Sequence, residues 1–351
     1  MQPFVYESAP VRVIFGQGTV GSIGQELQAL GLERALVLST PEQKDQSMQI
    51  AASLGDRLAG SFHGAAMHTP VDVTEKALTR AQSVRADCLL AIGGGSTIGL
   101  SKALALRTDL PQIVVPTTYA GSEMTPILGQ TENGLKTTLR SPKVKPEVVI
   151  YDVDLTLSLP SLPSVTSGIN AIAHAAEALY AQDANPIISL MAEEAIRALA
   201  AALPAVVANG GDIEARSDAL YGAWLCGSCL GSAGMALHHK LCHTLGGSFD
   251  LPHAPTHTVV LPYALAYNRD AAPRAMASIA RALGVADAAQ GVQALSARLG
   301  APASLRELGM AEADIDRAAE LATRNAYWNP RPIERDAIRD LLAHAWAGEP
   351  V

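Results

Sequence analysis

Five of the nine histidines in this chain fall between His238 and His257. His239 and His243 stand four residues apart with no helix breaker between them, so on a helix both imidazoles leave from one face. The pair Gly246-Gly247 is expected to end that helix, with a loop returning through Pro252 to deliver His253. Upstream, Asn170 and His174 repeat the spacing of four in SGINAIAHAAEALY, a second helical stretch. Three imidazoles and a side-chain amide on two helices and a return loop could converge on one point, as a divalent metal or a polarised oxygen requires. A single histidine is as readily a surface or satisfied core residue; the clustering carries the inference.

The rest of the chain must position this group. Of its 351 residues 48% are hydrophobic and 17% charged, enough to bury sizeable cores and too apolar for disorder; the length suits two domains. A net charge of −8 without any basic block excludes nucleic acid and anionic membrane as partners, so an anionic ligand needs local counter-charge. Cys88, Cys226, Cys229 and Cys242 are expected to be reduced. The Cys226-x-x-Cys229 pair has no second pair and sits in an apolar, glycine-rich run, which points to close helix packing. The opening MQPFVYESAP lacks an export signal, and no apolar run reaches the ~18 residues of a spanning helix, so a cytoplasmic protein is expected.

Residues 4–15 alternate and are rich in Val, Ile and aromatics, predicting a strand pair about Ala9-Pro10. Helices are then expected near 19–30, 46–58, 73–83 and 97–106, alternating with short buried strands at ALVLST, GSFHG, DCLLAIGGG and QIVVPTT. This rhythm predicts an α/β domain with a parallel, Rossmann-like sheet covered on both faces. Residues 127–151 suggest a hairpin turning at Glu132-Asn133-Gly134 with VVIYDVDL as return strand. From about 164 to 347 helical periodicity dominates, with stops at Pro186, Pro204, Gly210-Gly211, Pro252 and Pro302. The predicted domains are 1–160, nucleotide-binding, and 161–351, all-α and substrate-binding, with a cleft between them.

Gly93-Gly94-Gly95-Ser96 marks the handover from a buried strand to a helix. Without side chains there a pyrophosphate can approach the backbone and the positive end of the helix. It is not the G-x-G-x-x-G of the ordinary dinucleotide fold. The next strand also ends in polar residues, Thr117-Thr118, then Ser122, and ligands of open α/β sheets bind beyond such strand ends.

Together and in this order, Phe15-Gly-x-Gly18, the GGGS turn, Pro116-Thr-Thr118 with Ser122-Glu123, the Asn170/His174 helix and His239, His243 and His253 resemble the iron-containing (group III) alcohol dehydrogenase family. Within it, Met67-His-Thr-Pro70, Lys240 beside His239, Pro252-His-Ala-Pro-Thr-His257 and Tyr327-Trp-Asn-Pro-Arg-Pro332 are similar to the maleylacetate reductases. The resemblance implies a dehydroquinate synthase-like architecture, a homodimer, and NAD(P)H-dependent reduction of the carbon–carbon double bond of a small dicarboxylate. It implies cofactor contacts at Thr40, Gly93, Gly94, Gly95, Ser96, Thr117, Thr118, Ser122 and Lys136. At Thr40 NAD-preferring relatives often carry an aspartate; its loss leaves a 2′-phosphate unrepelled, so NADH is expected with NADPH tolerated.

For such chemistry His239 and His253 are the candidates at the developing oxyanion and His243 the candidate proton donor, since imidazole titrates near neutral pH; Lys240, His257 and Arg331 are available cations for the substrate carboxylates, with Asn170 and His174 also expected to bind substrate. Asn170 stands where metal-dependent members carry an aspartate. A tightly held ion is therefore doubtful, and His174, His239 and His253 would be its ligands if one binds. Two other enzymes share the fold: a metal-dependent NAD(P) alcohol dehydrogenase or aldehyde reductase, and a lyase that uses NAD only transiently. A non-catalytic nucleotide-binding module would leave the histidine cluster unexplained.

Overall fold

The computed structural model describes Phe4, Tyr6, residues 11–132 and residues 135–351, excluding the side chains of Leu135 and Lys136. The strand pair expected about Ala9-Pro10, the turn residues Asn133-Gly134 and the Lys136 side chain lie outside the described residues. The chain divides into two compact units, Ser8–Leu159 and one built on Pro160–Val351.

The first unit is a six-stranded parallel sheet formed by β1 (Arg12–Gly16), β2 (Ala35–Leu38), β3 (Leu58–Phe62), β4 (Cys88–Gly93), β5 (Gln112–Pro116) and, after an antiparallel excursion of β6 (Ile127–Glu132) and β7 (Leu135–Arg140), β8 (Val148–Asp152). Alternate side chains serve opposite faces. Val37, Leu90, Ile92 and Val115 pack with Ile23 and Leu27 of α1 (Ile23–Ala29) and Ala51 of α2 (Lys44–Ala51). Leu36, Leu38 and Leu89 pack with Ala77 of α3 (Val71–Ser83) and Leu100 and Leu104 of α4 (Gly95–Thr108). The order across the sheet is β1-β8-β5-β4-β2-β3. The chain runs from β2 to β3, then crosses back over β2 to lay down β4, so the winding reverses between β2 and β4. Open α/β sheets bind ligands beyond the carboxyl ends of the strands at such a reversal.

The second unit is helical: α5 (Ser161–Tyr180), α6 (Pro186–Ala208), α7 (Ile213–Ser232), α8 (Leu237–Phe249), α9 (His253–Asn268), α10 (Pro273–Leu283), α11 (Ala288–Arg298), α12 (Ile315–Thr323) and α13 (Arg335–Ala347). One core joins Leu241 and Leu245 of α8, Val259, Val260 and Tyr263 of α9, Ala318 of α12 and Leu342 of α13.

Two expected breaks do not occur. Pro204 lies inside α6, where buried Leu203 and Val206 carry the apolar stripe across it close to the helix end. A proline there removes one donor from a ladder that is already finishing. Gly246-Gly247 lies inside α8, which ends instead at Asp250 in the left-handed conformation, φ +54°. The glycines cost the helix about 1 kcal/mol each, less than the burial of Leu241 and Leu245 returns. His253 consequently opens α9 instead of riding a return loop.

Helices α6 and α7 cross at Gly222. A Cβ there would stand 2.8 Å from Leu199 Cγ and 3.2 Å from Ala195 O and Leu199 N. Two of those atoms are backbone and cannot swing aside. Gly222→Ala is expected to destabilise by about 1–3 kcal/mol and to lower the melting temperature by roughly 2–4 °C per kcal/mol, followed by circular dichroism at 222 nm.

Candidate active site

On α5, Asn170, His174 and Glu177 follow one another at helical spacing, and all three are buried. Glu177 organises the neighbouring helix. Its Oε1 accepts the His238 backbone N–H at 2.7 Å, and its Oε2 accepts the Ala236 N–H at 2.8 Å and the His239 Nδ1–H at 2.7 Å. Ala236 N-caps α8, so the carboxylate takes up orphan donors at the positive end of that helix. The same contact puts the ring proton of His239 on Nδ1 and leaves Nε2 facing away, as carboxylates behind functional imidazoles do.

The rings form one packed group. Centroids are 5.1 Å apart for His174–His239, 5.0 Å for His239–His257, 5.9 Å for His239–His243 and 4.4 Å for His253–His257. His239 Nε2, His174 Nδ1, His257 Nε2 and Asn170 Oδ1 are buried polar atoms without a hydrogen-bonding partner among the described residues. Burial, then the neighbouring histidines, lowers the pKa of His174, His238 and His257 well below the usual imidazole range. These rings are neutral, and a neutral imidazole can still polarise a carbonyl.

His257 was expected to be a cation for a carboxylate. It is wholly buried, and its Nδ1 is 2.9 Å from His238 Nε2. Cys242 Sγ lies 3.7 Å from that same Nε2, so His238, Cys242 and His257 are close enough to enclose an ion. Two nitrogens on a tetrahedral zinc would stand about 3.3 Å apart. The separation is that of a hydrogen bond, and the trio is a bonded support behind His239.

The donors anticipated for iron include no carboxylate free to bind a divalent ion: Asn170 supplies a neutral oxygen, and both oxygens of Glu177 are occupied by N–H groups. Among the described residues His174, His239 and His253 do not bring ligand atoms within 4.8 Å of one another.

Next to the cluster, His243 Nδ1 is 3.1 Å from the Tyr327 hydroxyl. Burial pushes the Tyr327 pKa up, so its O–H persists and can donate to His243. The Lys240 ammonium lies 5.8 Å from the Tyr327 ring, and its pKa is lowered by burial. Arg331 is exposed, stacks 4.0 Å from the Tyr267 ring and donates to Tyr267 O at 3.2 Å.

In the sheet unit, Gly93 leaves β4 at φ +153°, and a Cβ there would lie 2.5 Å from Thr97 Oγ1 and 2.6 Å from Gln43 Oε1. At Gly94 it would lie 2.9 Å from Thr118 Cγ2. A side chain at Gly93 or Gly94 would therefore have to displace Thr97, Gln43 or Thr118, whereas at Gly95 the nearest atom is Ala120 Cβ at 3.9 Å. Gly95 and Ser96 open α4, whose N-cap Gly94 provides no side-chain cap, so the first N–H groups remain available to an anion. Gln43 Nε2 donates to Thr117 Oγ1 at 2.7 Å, spanning from the end of β2 to the end of β5. Ser39 and His63, just past β2 and β3, meet at 2.7 Å beside Thr40. Ser122 opens the turn after Gly121, and its Oγ is buried without a partner among the described residues.

Glu177 and Gln43 were not anticipated. Glu177 had a signal, a lone carboxylate seven residues after Asn170 on an otherwise apolar helix. Gln43 had none, since a glutamine in a polar connection usually faces solvent.

The Iron-containing alcohol dehydrogenase family model matches residues 10–153, and the Fe-containing alcohol dehydrogenase family C-terminal model matches residues 164–346. The maleylacetate reductase of Rhizobium sp. (strain MTP-10005) is 60% identical over 348 residues, 99% of each chain. That of Burkholderia cepacia is 57% identical over 348 residues, again 99% of each. The crystal structure of maleylacetate reductase from Agrobacterium tumefaciens superposes with a TM-score of 0.96 at 59% identity, covering 100% of both chains.

Glu177→Gln is expected to place an amide N–H₂ against backbone and imidazole donors. It should cost about 1–3 kcal/mol, read as a lower urea midpoint at unchanged m-value.

Proposed function

The chain belongs to the iron-containing alcohol dehydrogenase family, and from that premise we propose that it is a reductase of maleylacetate, using NAD(P)H to saturate the carbon–carbon double bond and yield 3-oxoadipate. The observation that carries the reading is the 60% identity over 99% of both chains to a maleylacetate reductase. The donor set supports it: imidazoles and an amide suit a reduction whose charge develops on an organic oxygen. The metal-dependent alcohol dehydrogenase reading asks for a carboxylate ligand, and Asn170 is an amide.

In the proposed reaction, hydride from the dihydronicotinamide adds to the alkene carbon conjugate to the ketone, giving NAD(P)⁺ and an enolate. With Nε2 protonated as well as the Glu177-bound Nδ1, His239 donates to the enolate oxygen together with His253, and Asn170 and His174 complete the polar wall. A proton from His243, whose ring Tyr327 orients, then quenches the neighbouring carbon. Lys240 pairs with a substrate carboxylate. Arg331, already stacked on Tyr267, is assigned to the support of that wall, and His257 to the support of His239.

We assign Ser8–Leu159 to the cofactor and Pro160–Val351 to the substrate. Gly93, Gly94, Gly95, Ser96, Thr117, Thr118 and Ser122 cradle the pyrophosphate, with Thr40, Lys136 and newly Gln43 as further contacts. NADH is the proposed donor, NADPH an accepted one, and a cytoplasmic homodimer the proposed assembly. No single helix among the described residues is long and apolar enough to cross a membrane.

The test is NADH oxidation, followed at 340 nm, with freshly generated maleylacetate with and without EDTA. Equal turnover in both is expected, with His243→Ala slower by about 10²–10⁴ and His239→Ala by about 10²–10³. Activity on simple aldehydes alone, abolished by EDTA, would overturn the proposal.

A further inference from the structure

Lys102 sits on α4, seven residues beyond its start, and is 1% exposed. A lysine is almost never so buried unless paired. Its ammonium donates to Ser122 O, to Thr125 O at 2.7 Å, to Thr125 Oγ1 at 2.8 Å and to Ile127 O at 3.0 Å. All four acceptors come from one stretch, 122–127, and none is a carboxylate. Buried Glu123, from the same stretch, accepts the Tyr151 hydroxyl at 2.8 Å.

The chain that Lys102 holds is continuous with one wall of the glycine turn. Thr117 N donates to Gly93 O at 3.2 Å, Thr118 packs against Gly94, and Ala120 Cβ lies 3.9 Å from the Cβ position of Gly95. Gly121, at φ +80°, then turns the backbone into Ser122. One end of this wall is thus pinned to β4 and the other to the body of the helix whose first turn forms the cradle floor. Ser122–Met124 is a single short turn with Glu123 and Met124 buried, and Lys102 ties its start to α4 through Ser122 O.

We propose that Lys102 is a positioning residue for the dinucleotide: by tying the 122–127 stretch to α4 it sets the width of the cradle between the glycine turn and the Thr117–Ser122 wall. The inference rests on the reading that this turn holds the pyrophosphate.

The test measures NADH affinity by nicotinamide fluorescence, with kcat and KM for NADH and the melting temperature, in Lys102→Met and Thr125→Val. Lys102→Met should bind NADH about tenfold more weakly or worse, while kcat at saturating NADH holds within about threefold. Thr125→Val keeps the ammonium and removes a hydroxyl that accepts from Lys102 and from Ile127 N and donates to Ser122 O; it should weaken NADH by about threefold or more, with kcat at saturating NADH held. If Lys102→Met does not fold, Thr125→Val decides. Variants that melt lower yet bind NADH like the parent would reduce Lys102 to a structural role and overturn the inference alone. A parent protein that binds no NADH would overturn the cofactor reading with it.

Discussion

One buried carboxylate holds the histidine cluster together. Glu177 has no cation beside it; it is stabilised by two backbone N–H groups at the start of α8 and by one imidazole N–H. Such an anion is tolerable inside a protein only when its lone pairs are filled and a helix dipole points at it. Those requirements fix where α8 begins relative to α5, and hence where His239 and His243 stand. They also fix which nitrogen of His239 is free. A carboxylate committed in this way cannot serve as a ligand or base, so chemistry at the site falls to the imidazoles, an amide and the groups around Tyr327.

The sheet unit reaches its site by backbone geometry instead of side-chain charge. No lysine or arginine sits in the glycine turn, and side chains are excluded by Thr97, Gln43 and Thr118 on either side. What remains is peptide N–H, hydroxyls and the end of a helix, the elements that bind phosphate without demanding a particular base or sugar. Burial pushes the Lys102 pKa down to about 7 and that of Glu123 up. The cation and the acid of this interior are thus both eased towards neutrality.

Much of this was legible in the residues, because the features concerned are local or periodic. Runs such as Cys88–Gly93 and Val148–Asp152 have the composition of strands buried on both faces, and GGGS at a strand end marks a tight handover from strand to helix. The spacings 170/174 and 239/243 report a helix face directly. What could not be read were contacts between distant segments. Gln43 meets Thr117 only because β2, β4 and β5 lie side by side, and Glu177 meets His239 only because two helices pack end to side. The misplaced helix ends at Pro204 and Gly246 have the same origin, since local breaking signals yield to packing on both sides of them. Arg331 gave no sign that Tyr267 would take its guanidinium.

The first strand of the sheet pairs with the last: Arg12 is in register with Val148 and Gly16 with Asp152, while Asp152 also accepts N–H groups from Gly18 and Val20. During synthesis the leading segment therefore emerges long before its partner exists. The ribosome must deliver most of the sheet unit before that edge can close, and the closing step carries a large loop entropy. Until then the nascent chain leaves β5 as an open strand edge awaiting β8, and an unpaired edge of that kind is the part of an unfinished sheet most prone to pair with another chain.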